Sequence, residues 1–273
     1  MASNLRIAYP DIQFRAVEVT DSTPMDDFHE TKNSFSGPLY QLCRRSGLIS
    51  SDQDVIYDMG TDGSDITAAV DYLIITRADI SKAETGAQVE LASSTDNVSY
   101  TTHSTIDLDS ETLYGPNSNI LIADLESLSL AARRYWRVRF TFTNPSRSYF
   151  GKVYLGTAFQ FGTDQDPTRA ILNRQRSPSI DFITSSGALW STKVDEMPYQ
   201  FEVRWEGVSD AKALELRDAF VEWQNVSPVF LWTKTNHDIL DNLRVLGMEF
   251  DNFRVSKDFD GWNTVEFRLR EVF

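Results

Sequence analysis

Tyr135-Trp-Arg-Val-Arg-Phe-Thr-Phe142 is the stretch that decides the fold class. Trp136, Val138, Phe140 and Phe142 alternate with Arg137, Arg139 and Thr141. That is the period of a strand buried on one face and solvated on the other. The same alternation returns at Tyr199, Phe201, Val203 and Trp205, and again at Val265, Phe267 and Leu269. Tyr72-Leu-Ile-Ile-Thr76 is a short apolar run, as expected of a strand buried on both faces. Val89-Glu-Leu91 and Val153-Tyr-Leu155 add further short strands. Turn clusters such as Ser93-Ser-Thr-Asp-Asn97, Pro116-Asn-Ser-Asn119 and Asp260-Gly261 separate them. The chain reads as mainly β.

One segment departs from this period. From Ser209 to Gln224, Ala213, Leu216, Phe220 and Trp223 fall at helical spacing. Ser209 suits the N-cap, Asp210 suits the positive end of the helix dipole, and Asn225 with Pro228 supplies the stop. The C-terminal third is therefore expected to be an antiparallel sheet with one packed helix at 209–224. The polar, punctuated stretch Gly162-Thr-Asp-Gln-Asp-Pro-Thr168 is the best domain boundary. The expected division is 1–162, a linker at 163–176, and 177–273.

Length supports two domains: 273 residues are more than one core comfortably serves. Twenty-six Lys and Arg against 40 Asp and Glu give a net charge of −14. Such a balance argues against specific nucleic-acid binding, which needs a basic footprint, and against docking on anionic membranes. The charge is uneven: residues 1–130 carry all of the −14, and residues 131–273 are neutral by count. Cys43 is the sole cysteine, so neither a disulfide framework nor a cysteine zinc site is expected. No stretch is long and apolar enough to insert in a membrane, and no secretion signal is visible, which suggests folding in a reducing cytoplasm.

Chemistry is sparse. His29, His103 and His237 are scattered, and no metalloprotease, nucleophile-elbow or phosphate-loop pattern occurs. Asp58, Asp62 and Asp65, around Gly60 and Gly63, have the oxygen-rich spacing of a calcium loop, although such clusters ordinarily form solvated turns. No catalytic residue, cofactor or metal site is assigned, and the chain is not expected to be an enzyme. Tyr100, His103 and Tyr114 lie in polar, turn-rich sequence, where ring faces beside Asn and Asp suit carbohydrate stacking and hydrogen bonding. These three are the candidate carbohydrate-binding residues.

Several passages, in order, resemble discoidin-like (galactose-binding-like) domains. Val55-Ile-Tyr-Asp-Met-Gly60 and Val70-Asp-Tyr-Leu-Ile-Ile75 come first, followed by Val89 to Tyr100. Arg134-Tyr-Trp-Arg-Val-Arg-Phe-Thr141 and Phe150-Gly-Lys-Val-Tyr-Leu-Gly156 complete the set. The resemblance covers roughly residues 1–162 and implies a β-sandwich. Met1-Ala-Ser-Asn-Leu-Arg-Ile-Ala-Tyr9 is similar to the start of minor tail and tail-tip proteins of long-tailed bacteriophages. The second half looks architecturally like the β-sandwich or split-barrel module of tail tube, distal tail and baseplate hub proteins.

Those resemblances imply a structural virion protein, made in the host cytoplasm and placed in the tail. It would form a homo-oligomeric ring, hexamer or trimer, joining the tail tube to the adsorption apparatus and touching hub and fibres. The alternative they imply is a carbohydrate-binding module that contacts a host surface glycan.

Overall fold

The computed structural model describes residues 5–8, 16, 18–21, 43–44, 52–60, 70–76, 78, 86–108, 110, 120–141, 149–160, 169–174, 179–183, 189–193, 199–223, 229–233, 246–259 and 261–271. The chain divides into two compact units, Arg6–Phe159 and a second made of Met1–Leu5 with Gln160–Val272. Strands β1 (Leu5–Ala8) and β12 (Phe159–Gln160) span the two divisions. The architecture is mainly antiparallel β with one long helix among the described residues.

In the first unit, β2 (Glu18–Asp21), β4 (Gln53–Asp58), β6 (Gln88–Ser94), β7 (Thr101–Asp107) and β9 (Tyr135–Thr141) form a five-stranded sheet in the order β2-β4-β9-β6-β7. A second sheet has the order β11-β5-β8, from β5 (Tyr72–Thr76), β8 (Ile120–Asp124) and β11 (Val153–Gly156). The short strands β3 (Cys43–Arg44) and β10 (Tyr149–Phe150) pair with each other. Val55, Tyr57, Val89, Leu91, Trp136, Val138 and Phe140 from the larger sheet share one core with Leu73, Ile75, Leu121, Val153 and Leu155 from the smaller. The unit is a β-sandwich. All five residues of β5 are buried, so the continuous apolar run is a strand covered on both faces, as its sequence implied.

The second unit contains β13 (Arg169–Arg174), the hairpin of β14 (Ser179–Ile183) with β15 (Leu189–Lys193), β16 (Tyr199–Ser209), α1 (Asp210–Trp223), β17 (Val229–Thr233), β18 (Leu246–Phe259) and β19 (Trp262–Glu271). Five of its strands run in the order β17-β18-β19-β16-β13, all antiparallel. The stretch expected as a linker, 163–176, thus contains β13, which pairs with β16 from Arg169↔Arg204 to Arg174↔Tyr199. Its apolar core, Ala170-Ile-Leu172, is too short to stand out between polar flanks.

α1 packs on β16, β18 and β19, burying Ala213 and Leu216 and stacking Phe220 on Phe253 at 4.7 Å between ring centroids. The Ser209 hydroxyl accepts the Lys212 N–H at 3.3 Å, the capping contact its sequence position implied. The side chain of Trp223 lies outside the described residues. β18 and β19 turn at Gly261, whose φ of +83° is the left-handed conformation a glycine supplies without a Cβ penalty. No helix among the described residues is long and apolar enough to cross a membrane.

Candidate functional site

The outward face of the sandwich's larger sheet follows from strand alternation. With Trp136, Val138 and Phe140 in the core, Tyr135, Arg137, Arg139 and Thr141 point the other way. Register places Arg139 opposite Asp54 on β4 and Glu90 on β6, and Tyr135 opposite Asp58. Arg139 forms a bidentate pair with Asp54, with N–O distances of 2.6 and 2.8 Å. Arg134, just before β9, holds Asp58 in the same way at 2.9 and 3.0 Å, and its guanidinium also lies 4.7 Å from the Tyr135 ring centroid. The hydrogen bond from Arg134 holds the Asp58 carboxyl below its ordinary pKa, and the donation to Asp54 raises that of Arg139.

Arg137 is shared between two tasks. It donates to Glu90 at 2.8 Å and lies over the ring of Tyr100, 4.1 Å from its centroid. Tyr100 closes the β6–β7 turn, and that turn is tightly organised. The Ser94 hydroxyl accepts the N–H groups of Asp96 and Asn97, while the Asp96 carboxylate accepts from Val98 N–H, Ser99 N–H and the Ser94 hydroxyl. These donors, the two backbone groups first, pull the Asp96 pKa down to about 2. Asn97 takes the left-handed conformation, with φ +60°, and its side-chain oxygen accepts the Tyr100 hydroxyl. Val98, 82% exposed, forms an apolar tip. Burial raises the Tyr100 pKa, so its hydroxyl remains a neutral donor at physiological pH.

His103 belongs elsewhere. It falls at the β6–β7 register shift, where Leu91 pairs with Ser104 and Ala92 with Thr102. There its Nε2 meets the buried Ser93 hydroxyl at 2.7 Å, and its ring lies 5.9 Å from that of Trp136. Tyr100 therefore packs with Arg137 on the outward face, while His103 packs with core-facing Ser93 and Trp136. The structure does not bring these two candidates together. Burial, reinforced by Arg133, lowers the His103 pKa, which keeps the ring neutral at pH 7.

Tyr114, the third candidate, lies outside the described residues, as do Asp62 and Asp65 of the acidic loop. Asp58, the remaining member of that loop, is committed to Arg134 and to the Gly60 N–H at 2.8 Å. Among the described residues no group of three or more His, Cys, Asp or Glu is arranged to hold a metal ion.

Comparison with known proteins gives fold-level likenesses only. No protein-family profile and no curated protein matches this chain. Among solved structures, the CBM32-1 carbohydrate-binding module of a family 31 glycoside hydrolase from Clostridium perfringens is similar at 11% identity, covering 52% of this chain and 96% of the module with a TM-score of 0.37. The CBM62 module of Xyl5A from Clostridium thermocellum is similar at 16% identity, covering 53% of this chain and 95% of the module, also with a TM-score of 0.37.

Arg137, Asn97 and Glu90 are the site members that the sequence reading passed over. Alternation in β9 already puts Arg137 on the outward face. Its meeting with Tyr100, 37 residues away in the chain, depends on the β6–β9 register, which no local pattern encodes.

Proposed function

We propose that the sandwich is a saccharide-binding module and that the Asn97–Tyr100 turn, backed by Arg137, is its contact surface. The observation that carries this reading is the Tyr100 ring, half-buried and fixed from two directions by Arg137 and Asn97. A saccharide presents C–H faces that stack on an aromatic ring and hydroxyls that bond to planar polar groups. The turn offers both kinds of partner, already oriented, so little side-chain entropy is lost on binding.

A glycan array followed by calorimetric titration of the best ligand tests it. Tyr100→Ala is expected to lower affinity by about tenfold, the scale of one lost stacking contact. Asn97→Gly, which preserves the left-handed backbone, should weaken binding less. Absence of any saccharide ligand, or undiminished affinity in Tyr100→Ala, overturns the proposal.

A second reading is a ring component of a bacteriophage tail. Its support is the helix-backed antiparallel sheet of the second unit, the architecture on which that expectation rested. A mass measurement finding a strict monomer, alone and with tail proteins, would remove it.

A further inference from the structure

α1 packs on one face of the second unit's sheet. Val203, Val265 and Phe267 are buried, and Phe253 stacks under Phe220. Alternation sends Glu202 and Arg204 of β16, Asn252 and Arg254 of β18, and Glu266 and Arg268 of β19 to the opposite face. Register arranges them in two rows, Glu202–Arg268–Asn252 and Arg204–Glu266–Arg254. Together they line an open depression of about 270 Å³.

The ion pairing within the depression is incomplete. Arg268 reaches Glu202 at 3.0 Å, while Arg204 reaches Glu266 at 3.4 Å and Glu206, just outside, at 2.8 Å. Arg254 stands opposite Glu266 in register, yet its guanidinium forms no ion pair with any described residue. The lining therefore holds three guanidinium groups against two carboxylates, and one cation is available to a ligand.

We infer that this depression binds a saccharide carrying a carboxylate, a uronic-acid unit, with Arg254 holding the carboxylate. Arg254 supplies a planar fork matched to a carboxylate. Glu202 and Glu266 retain acceptor capacity beyond their arginines, which hydroxyl donors fill. A neutral sugar would leave Arg254 without its counterpart.

The depression belongs to the second unit and the Tyr100 turn to the first, so variants at each report on one surface. The full chain is titrated with trigalacturonate, with the neutral trisaccharide of galactose, and with a glutamate tripeptide. Trigalacturonate is expected to bind at least tenfold more tightly than either control, with an affinity that falls as salt rises. Arg254→Gln should remove at least tenfold of that affinity, whereas Tyr100→Ala should leave it unchanged. Arg254 is exposed, so the melting temperature of Arg254→Gln serves as the check that its unit is folded. Equal binding of the three ligands, no binding of trigalacturonate, or full affinity in folded Arg254→Gln overturns the inference. Loss of trigalacturonate binding in Tyr100→Ala would assign it to the sandwich instead and equally overturn it.

Discussion

Gly151 sits where β11 begins beside the end of β5, and replacing it with alanine should be costly for a reason that can be worked through. Three hydrogen bonds cross at this point. Gly151 N–H donates to the Thr76 carbonyl at 2.9 Å, Thr76 N–H to the Lys152 carbonyl at 2.9 Å, and Lys152 N–H to the Thr76 hydroxyl at 2.7 Å. A Cβ on residue 151 would stand 2.8 Å from the Thr76 carbonyl oxygen and closer still to its hydroxyl. The hydroxyl can rotate away, but the carbonyl belongs to a buried strand and cannot. Overpacking of this kind costs about 1–3 kcal/mol, and a lost buried hydrogen bond about 1 kcal/mol more. Gly151→Ala should therefore destabilise the sandwich by about 2–4 kcal/mol, lowering its melting temperature by roughly 4–16 °C for a unit of this size. Calorimetry on the full chain would read it. Thr76→Ala offers an internal check. Alone it removes the hydroxyl that accepts the buried Lys152 N–H, at about 1–3 kcal/mol. In the Gly151→Ala background it also removes one obstacle, so the pair should fall short of additivity by at least about 0.5 kcal/mol. A Gly151→Ala protein within about 0.5 kcal/mol of the parent, or strict additivity, would refute the steric reasoning.

Three further outcomes are expected. Asp96, held at about 2, keeps the β6–β7 turn ordered above the ordinary carboxylate pKa and releases it as pH falls towards 2; amide shifts of Val98 and Ser99 should report that midpoint, and one near 4 would contradict it. Asp58, depressed first by its hydrogen bond from Arg134, contributes stability that is likewise lost on acidification, so Arg134→Gln should raise the Asp58 midpoint and flatten the acid limb of the stability curve. An unmoved midpoint contradicts this. Asn263 is buried and donates to the Asp210 carboxylate at 2.7 Å where α1 begins; Asn263→Ala should cost the second unit about 1–2 kcal/mol in urea unfolding, and a cost below about 0.5 kcal/mol removes its anchoring role.

Strand identity was legible where one face alone is wetted. Arg137 and Arg139 between Trp136, Val138 and Phe140 announce both the strand and its orientation, and the solid burial of Tyr72–Thr76 follows from the absence of any polar interruption before Thr76. The helix at Asp210–Trp223 was equally visible, because its cap, period and stop agree. What escaped is what depends on pairing over distance. β13 is a strand because β16 lies beside it, not because its six residues insist on it. His103 and Tyr100, three residues apart, look like neighbours in one loop, yet the register shift at Leu91 and Ala92 turns His103 towards Trp136 while Tyr100 meets Arg137. A one-residue irregularity reverses a side chain's face, and nothing in the local composition marks it.

The same distance effect changes what the net charge means. Counting by position puts −14 in residues 1–130 and suggests a uniformly acidic surface. The sandwich, however, runs on through β9 and β11, and residues 131–159 add six basic side chains and no acidic ones. Three of these, Arg134, Arg137 and Arg139, are laid directly across Asp58, Glu90 and Asp54. The acidic strands β4 and β6 are thus tied to the arginines of β9 and of the residue just before it. On the outward face of β4-β9-β6 each arginine is ion-paired, Arg139 with Asp52 at 3.5 Å as well as with Asp54, so a ligand approaching Tyr100 meets paired rather than isolated charges. Raising salt should accordingly leave saccharide binding at the Tyr100 turn nearly unchanged while weakening uronate binding at Arg254, which has no ion-pair partner among the described residues. Equal salt sensitivity at the two places would show that the pairing seen across β9 does not govern how the sandwich presents itself to ligands.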